Sequence, residues 1–149
     1  MFIYQKTPQY YETDQMGIIH HSNHVRWFEE ARLAYMDALG IGAIIRDTDS
    51  GVVCPVLNVQ VSYRKMIRLH DKIQIKVYLM QYNGFRYTFY YEICNAETDE
   101  ICCDGTTALC FMTPENKPVR MKKVFPQLHQ VLCDTLENER LPENRTKML

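Results

Sequence analysis

The spacing of hydrophobic residues divides the chain into segments of different period. Phe28, Ala31, Tyr35 and Ala38, joined by Trp27 and Ala34, recur every three to four positions and predict a helix over about Asn23 to Leu39. Arg26, Glu29, Glu30, Leu33 and Asp37 form its other, mostly polar stripe, with Arg26 and Glu30 spaced to pair across one turn. Gly40 stands where a helix end favours a left-handed residue, and Ile41 to Asp47 reads as a short second helix. From Val52 onward the period becomes two. Leu57, Val59, Val61 and Tyr63 alternate with polar residues, as do Ile73, Ile75, Val77 and Leu79, and then Tyr87, Phe89, Tyr91 and Ile93. Asn83-Gly84 between the last two runs is a strong hairpin signal. A further strand is expected from about Ile101 to Met112, ended by Pro114, and Phe2-Ile3-Tyr4 opens a first strand running to about Tyr10, interrupted or bent near Pro8. Phe125 to Leu136 has a weaker helical rhythm, and the polar tail from about 138 is expected to fray.

The order is strand, helix, then four strands joined by short turns, an α+β plan with a five-stranded antiparallel sheet. The helix is too rich in large apolar residues for a surface element, so the sheet is expected to wrap around it. No repeat, low-complexity stretch or linker divides residues 1–149, which read as one domain. A formal net charge of −1 argues against broad electrostatic capture of nucleic acid or anionic membrane. No apolar run approaches the ~20 residues of a membrane helix. Cys54, Cys94, Cys102, Cys103, Cys110 and Cys133 contain no C-x-x-C pair, and the N-terminus has no signal-like run. Reduced thiols in a cytoplasmic protein are the expectation.

The stretch Tyr10 to His24 carries the candidate chemistry. A loop with Asp14 and the permissive Gly17 leads past His20 and His21 into the long helix, for which Ser22 and Asn23 are good caps. The first amides of that helix are unpaired and lie at its positive end, so a carboxylate beside them makes a plausible site for attack on a carbonyl. Asp14 could instead close an Asx turn. An aspartate in water, with a pKa of ~3.9, is ionised at pH 7 and can act as nucleophile or base without activation. His20, His21 and His24 also raise a metal reading, but the helix barely starts between them and H-E-x-x-H is absent, so no metal is expected. Cys102 and Cys103, adjacent on a strand, suggest no nucleophile, and no G-x-S-x-G, Walker A or G-x-G-x-x-G sequence is present.

The run Tyr11-Glu12-Thr13-Asp14-Gln15-Met16-Gly17-Ile18-Ile19-His20-His21-Ser22-Asn23-His24, continuing into Trp27-Phe28-Glu29-Glu30-Ala31-Arg32, resembles the signature of the 4-hydroxybenzoyl-CoA thioesterase-like branch of the hotdog-fold thioesterases. Val61-Ser62-Tyr63-Arg64-Lys65 and Lys117-Pro118-Val119-Arg120 agree with it, and the likeness spans about residues 2 to 130. It implies hydrolysis of acyl-CoA, with Asp14 as nucleophile or general base and the amide at His21 on the thioester oxygen. It also implies a site at a homodimer interface, within a dimer or a tetramer. Coenzyme A is then part of the substrate and no cofactor is needed. The His21 ring orients substrate or water, or is incidental to its amide. Gly17, Asn23, Glu29, Arg64 and Lys65 complete the candidate substrate-binding set: Asn23 as cap or contact, Glu29 at the family's acidic position, and Arg64 and Lys65 with Arg68 as a solvated cluster or as partners for coenzyme A phosphates. Rival readings are hydrolysis of acyl groups on acyl carrier protein and a non-catalytic dimer that binds an acyl ligand. His20 and His24 depart from the family, which more often has an aromatic residue and Tyr at these places.

Overall fold

The computed structural model describes residues 1–143. Strand β1 (Phe2–Lys6) is followed by a single 3-10 turn at Tyr10–Glu12, the long helix α1 (Ser22–Ala38) and the short helix α2 (Gly42–Arg46). Strands β2 (Val56–Tyr63), β3 (Ile73–Tyr82), β4 (Arg86–Asn95) and β5 (Ile101–Cys110) come next, then helices α3 (Met121–Val124) and α4 (Pro126–Asn138). The strands form one antiparallel sheet in the order β1-β3-β4-β5-β2. Helix α1 packs across β1, β3 and β4, and α4 also lies on β3. This is the hotdog arrangement.

Period two in the sequence becomes an inner face. Ile73, Ile75, Val77 and Leu79 on β3, and Tyr87, Phe89, Tyr91 and Ile93 on β4, are all fully buried against α1. Phe28 of α1 stacks on Tyr91 with ring centroids 4.3 Å apart. That approach depends on Gly105, which pairs with Val61 on one side and Tyr91 on the other. A Cβ there would lie 2.2 Å from the Gln60 carbonyl oxygen and 2.8 Å from Phe28 Cε2. Backbone cannot retreat as a flexible side chain does, so Gly105→Ala is expected to destabilise the fold by about 2–3 kcal/mol, in the range of overpacked cores. Urea unfolding checks it: the midpoint should fall at unchanged slope, and an unmoved midpoint would mean that α1 and β5 separate freely.

Several local expectations are corrected. β1 ends at Lys6 rather than near Tyr10; Pro8 cannot donate to a ladder, and the chain turns away there. Arg26 and Glu30 do not pair. Arg26 donates to Asn23 Oδ1 at 2.9 Å, while Glu30 accepts from Lys6 at 3.2 Å and from the Tyr4 hydroxyl at 3.2 Å, because β1 passes alongside this face of α1. At the β3–β4 hairpin only Gly84 has a positive φ, and the Asn83 side chain closes the turn by accepting from the amides of Phe85 and Arg86. Beyond α4, in the segment read as fraying, the Glu139 carboxylate accepts from the Tyr35 hydroxyl and the Leu79 amide, each at 2.9 Å, and pairs with the N-terminal ammonium. The rest of that tail, 144–149, lies outside the described residues.

One alternating run is not buried. Leu57, Val59 and Tyr63 on β2 are 47%, 39% and 51% exposed, and among the described residues β2 is hydrogen-bonded to β5 alone.

Candidate active site

Short-range bonds set the geometry of the loop before α1. The Asp14 amide donates to the Ile18 carbonyl at 2.9 Å and the Gly17 amide to the Asp14 carbonyl at 3.1 Å, closing a tight turn in which Gly17 takes φ 75°. A side chain would strain at that φ, and this is the structural reason for a glycine. One Asp14 oxygen, Oδ1, accepts from the Met16 amide at 2.8 Å. The Asx turn weighed for this residue is thus present, and it holds the carboxylate in place while Oδ2 has no donor among the described residues.

Glu12, which the sequence reading did not single out, ties this loop to the helix. Its buried carboxylate accepts from the Trp27 indole at 2.6 Å and the Gln9 amide at 2.8 Å, with Lys6 at 3.8 Å. Its carbonyl accepts from the His20 amide at 2.9 Å and from Asn23 Nδ2 at 2.8 Å. Asn23 is therefore buried in a structural role, not capping. The capping position is His21, whose side chain makes no capping bond. The His20 ring does that work: its Nδ1 accepts from the Ser22 amide at 3.2 Å, with the Ser22 hydroxyl 2.8 Å away. The His21 amide is left with no acceptor among the described residues. The Tyr63 hydroxyl donates to the His21 carbonyl at 2.7 Å and pins the start of α1 to the end of β2.

A cavity of about 660 Å³ opens between this helix start and the segment after β2. Asp14, His21, His24 and Tyr63 line it together with apolar Ile18, Ile19 and Ile67. His24 is 4% exposed, sits 4.9 Å edge-on to Tyr63, and has its Nδ1 buried without a hydrogen-bond partner. Burial holds its pKa below that of an ordinary histidine and outweighs the opposite pull of the His21 and His20 backbone, which lies near the ring but outside hydrogen-bond geometry to Nδ1, so the ring is neutral at pH 7.

Of the remaining candidates, Arg64 and Lys65 line the same cavity but are committed elsewhere. Arg64 Nε donates to the buried Asp104 at 2.9 Å, and Lys65 pairs with Glu100. Arg68 lines the cavity too, and its guanidinium has no partner among the described residues. Glu29 lies outside. It lines a separate cavity of about 310 Å³ with Arg32, 3.8 Å from its guanidinium. Arg32 is itself buried, with the Tyr91 and Thr107 hydroxyls 3.3 and 3.4 Å away. Among the described residues no group of three or more His, Cys, Asp or Glu is placed to share a metal ion, and no helix is long and apolar enough to cross a membrane. All six cysteines are free, and burial pushes the Cys94 thiol up to about 11 and Cys103 to about 12, so neither is a nucleophile at neutral pH.

The sheet has the hotdog arrangement, and Asp14 and the start of α1 share one cavity. The chain belongs to the thioesterase-like superfamily, whose model matches residues 8–130. It is 32% identical over 123 residues to a Bacillus subtilis protein provisionally named acyl-CoA thioesterase YneP, covering 81% of this chain and 87% of that one. It is 25% identical over 126 residues to a 1,4-dihydroxy-2-naphthoyl-CoA hydrolase of Thermosynechococcus vestitus, covering 83% and 84%. Among solved structures, a DHNA-CoA thioesterase from Staphylococcus aureus superposes with a TM-score of 0.83 at 34% identity, covering 89% of this chain and 88% of that one.

Proposed function

We propose that this protein hydrolyses acyl-CoA thioesters, with Asp14 as nucleophile or general base and the His21 amide receiving the developing oxyanion. One observation carries the reading: a carboxylate oxygen and a backbone N–H, both without a partner among the described residues, belong to residues that line the same cavity. In such a site the amide has its largest effect as charge develops on the carbonyl oxygen, and a single donor of this kind is worth ~10²–10³ in rate. The thiolate of coenzyme A then leaves without a general acid. Arg68 is the uncommitted cation at the cavity and the first candidate to meet a phosphate of the coenzyme. The apolar walls suit an acyl group.

Purified protein assayed against a panel of acyl-CoAs, with acyl groups on acyl carrier protein in parallel, tests the reading by release of free thiol. Turnover of acyl-CoA is expected; release from acyl carrier protein alone would move the assignment to that carrier, and release from neither would overturn it. EDTA should leave the rate unchanged, because neither step needs a metal. Loss of activity with the chelator, restored by zinc, would revive the three-histidine reading. We also propose that the working unit is a dimer, or a tetramer built from dimers, joined through the free β2 edge.

A further inference from the structure

We propose that the cavity between α1, α2 and the segment before β2 binds a small organic carboxylate, held by Arg32. This cavity, of about 310 Å³, is separate from the one lined by Asp14, and the site does not depend on the hydrolytic reading. Arg32 is 7% exposed, so its cation is largely withdrawn from water, and its protein partners are weak. Nη1 donates to the Tyr91 and Thr107 hydroxyls at 3.3 and 3.4 Å, both beyond the usual N–H···O range, and those hydroxyls bond each other at 2.6 Å. The nearest carboxylate, Glu29, stands 3.8 Å from Nη2, outside hydrogen-bond reach, with its side chain 65% exposed. The guanidinium edge formed by Nε and Nη2 therefore makes no hydrogen bond among the described residues. Neither nitrogen is sealed in the core without a partner, so this edge keeps open surface on the cavity that Arg32 lines. Its two N–H groups match the two oxygens of a carboxylate. A cation already withdrawn from water gains more from that pair than a surface arginine does. Leu33, Met36, Val52 and Leu109 supply apolar wall for the body of the acid. The volume, at the lower end of the ~300–1,000 Å³ of ligand pockets, suits a short or single-ring acid. A free acid of the kind that thioester hydrolysis releases belongs to this class.

Calorimetry on the full chain tests the site with benzoate and hexanoate, each against its amide of matched shape, benzamide and hexanamide. At least one acid should bind about tenfold or more tightly than its amide, the scale of one hydrogen bond to a charged group. Arg32→Gln should bring that ratio close to one. Arg32→Lys, which keeps the charge but not the fork, should weaken the acid and retain a preference for it. Glu29→Gln removes the carboxylate at the mouth that competes for the same guanidinium, and should tighten acid binding several-fold. Leu33→Trp fills the cavity from a half-buried position on α1 and should weaken the acid about tenfold. These last two variants leave Arg32 in place, so they decide the matter even where Arg32→Gln does not fold. Arg68→Gln, at the other cavity, should change nothing. Equal binding of acids and amides to the native protein, or binding of neither, would overturn the proposal. So would acid binding that survives both Arg32→Gln and Leu33→Trp. Acid binding lost in Arg68→Gln but kept in Leu33→Trp would overturn it too, by placing the acid in the Asp14 cavity.

Discussion

Asp14→Asn is expected to fold and assemble normally while thioester hydrolysis falls by about 10³-fold, within the 10²–10⁴ range for loss of a positioned acid–base group. The structure separates the two jobs of this side chain. Oδ1 accepts the Met16 amide at 2.8 Å and closes the turn, and an asparagine oxygen can do the same. The negative charge, which attacks the carbonyl or takes a proton from water, is what the amide cannot replace. Asp14→Glu should also be poor, since an added methylene moves the oxygens by about 1 Å, enough to cost on the order of 10²-fold in a positioned reaction. It also lengthens the bridge to Met16, so some loss of loop order should accompany it. Thermal unfolding and sedimentation on each variant separate lost chemistry from lost structure. An Asp14→Asn protein that hydrolyses acyl-CoA at the native rate would remove Asp14 from the mechanism. His21 would then be the first suspect, because Glu29 lines a different cavity of the same chain. Single turnover in ¹⁸O water distinguishes the routes: label entering Asp14 reports an anhydride, and its absence reports direct attack by water.

The elements were legible in the sequence wherever one face is buried within a single chain. The alternating apolar residues of β3 and β4 are buried as the period implies, although Tyr90, Glu92 and Cys94 on the other face of β4 are buried as well, and α1 presents Trp27, Phe28, Ala31 and Tyr35 inward. Gly40 takes the left-handed conformation beyond the helix, with φ 80°. What escaped was set by contacts distant in sequence. Arg32 lies 59 and 75 residues from the hydroxyls it meets, so no helical stripe distinguishes it from a solvated arginine. Arg64 has the same difficulty with Asp104. The role of Glu12 was closer to hand: an acid just before the loop, with an indole six residues past the cap, has the spacing to staple loop to helix. Asn23 has the residue type of a cap, but capping depends on which residue turns its backbone first, and the His20 ring reaches the Ser22 amide. Within the site, Asp14, Gly17 and His21 could be singled out because the turn and the helix start are local. The partnerless Nδ1 of His24 could not, since it depends on Tyr63 closing over it from β2.

Val59→Lys should convert the protein to a monomer and lower hydrolysis on the order of 10²-fold, the loss associated with a displaced reacting group. β2 is eight residues long, pairs with β5 on one side and has no strand on its other edge among the described residues. Its apolar residues Val56, Leu57, Val59 and Tyr63 are exposed although the alternation of the strand marks a face for burial. Such an edge is a template for a second strand, and the same strand from another copy is self-complementary about a two-fold axis. Antiparallel pairing of two β2 strands would bring the Tyr63 end of one against the partner subunit's Val56 end. The cavity that holds Asp14 lies at the Tyr63 end, walled by exposed Met66 and Tyr63, so a second copy would close its open side and exclude water from the thioester. A lysine at Val59 places like charges close together across the two-fold axis and costs the pairing at both copies at once. Far-UV circular dichroism should be unchanged, because Val59 contributes little to the core of its own chain. Sedimentation at micromolar concentration should show the native protein as a dimer or an even multiple of one and the variant as a monomer. A monomer of either protein that hydrolyses acyl-CoA at full rate would place the whole site within one chain and remove the partner from the mechanism.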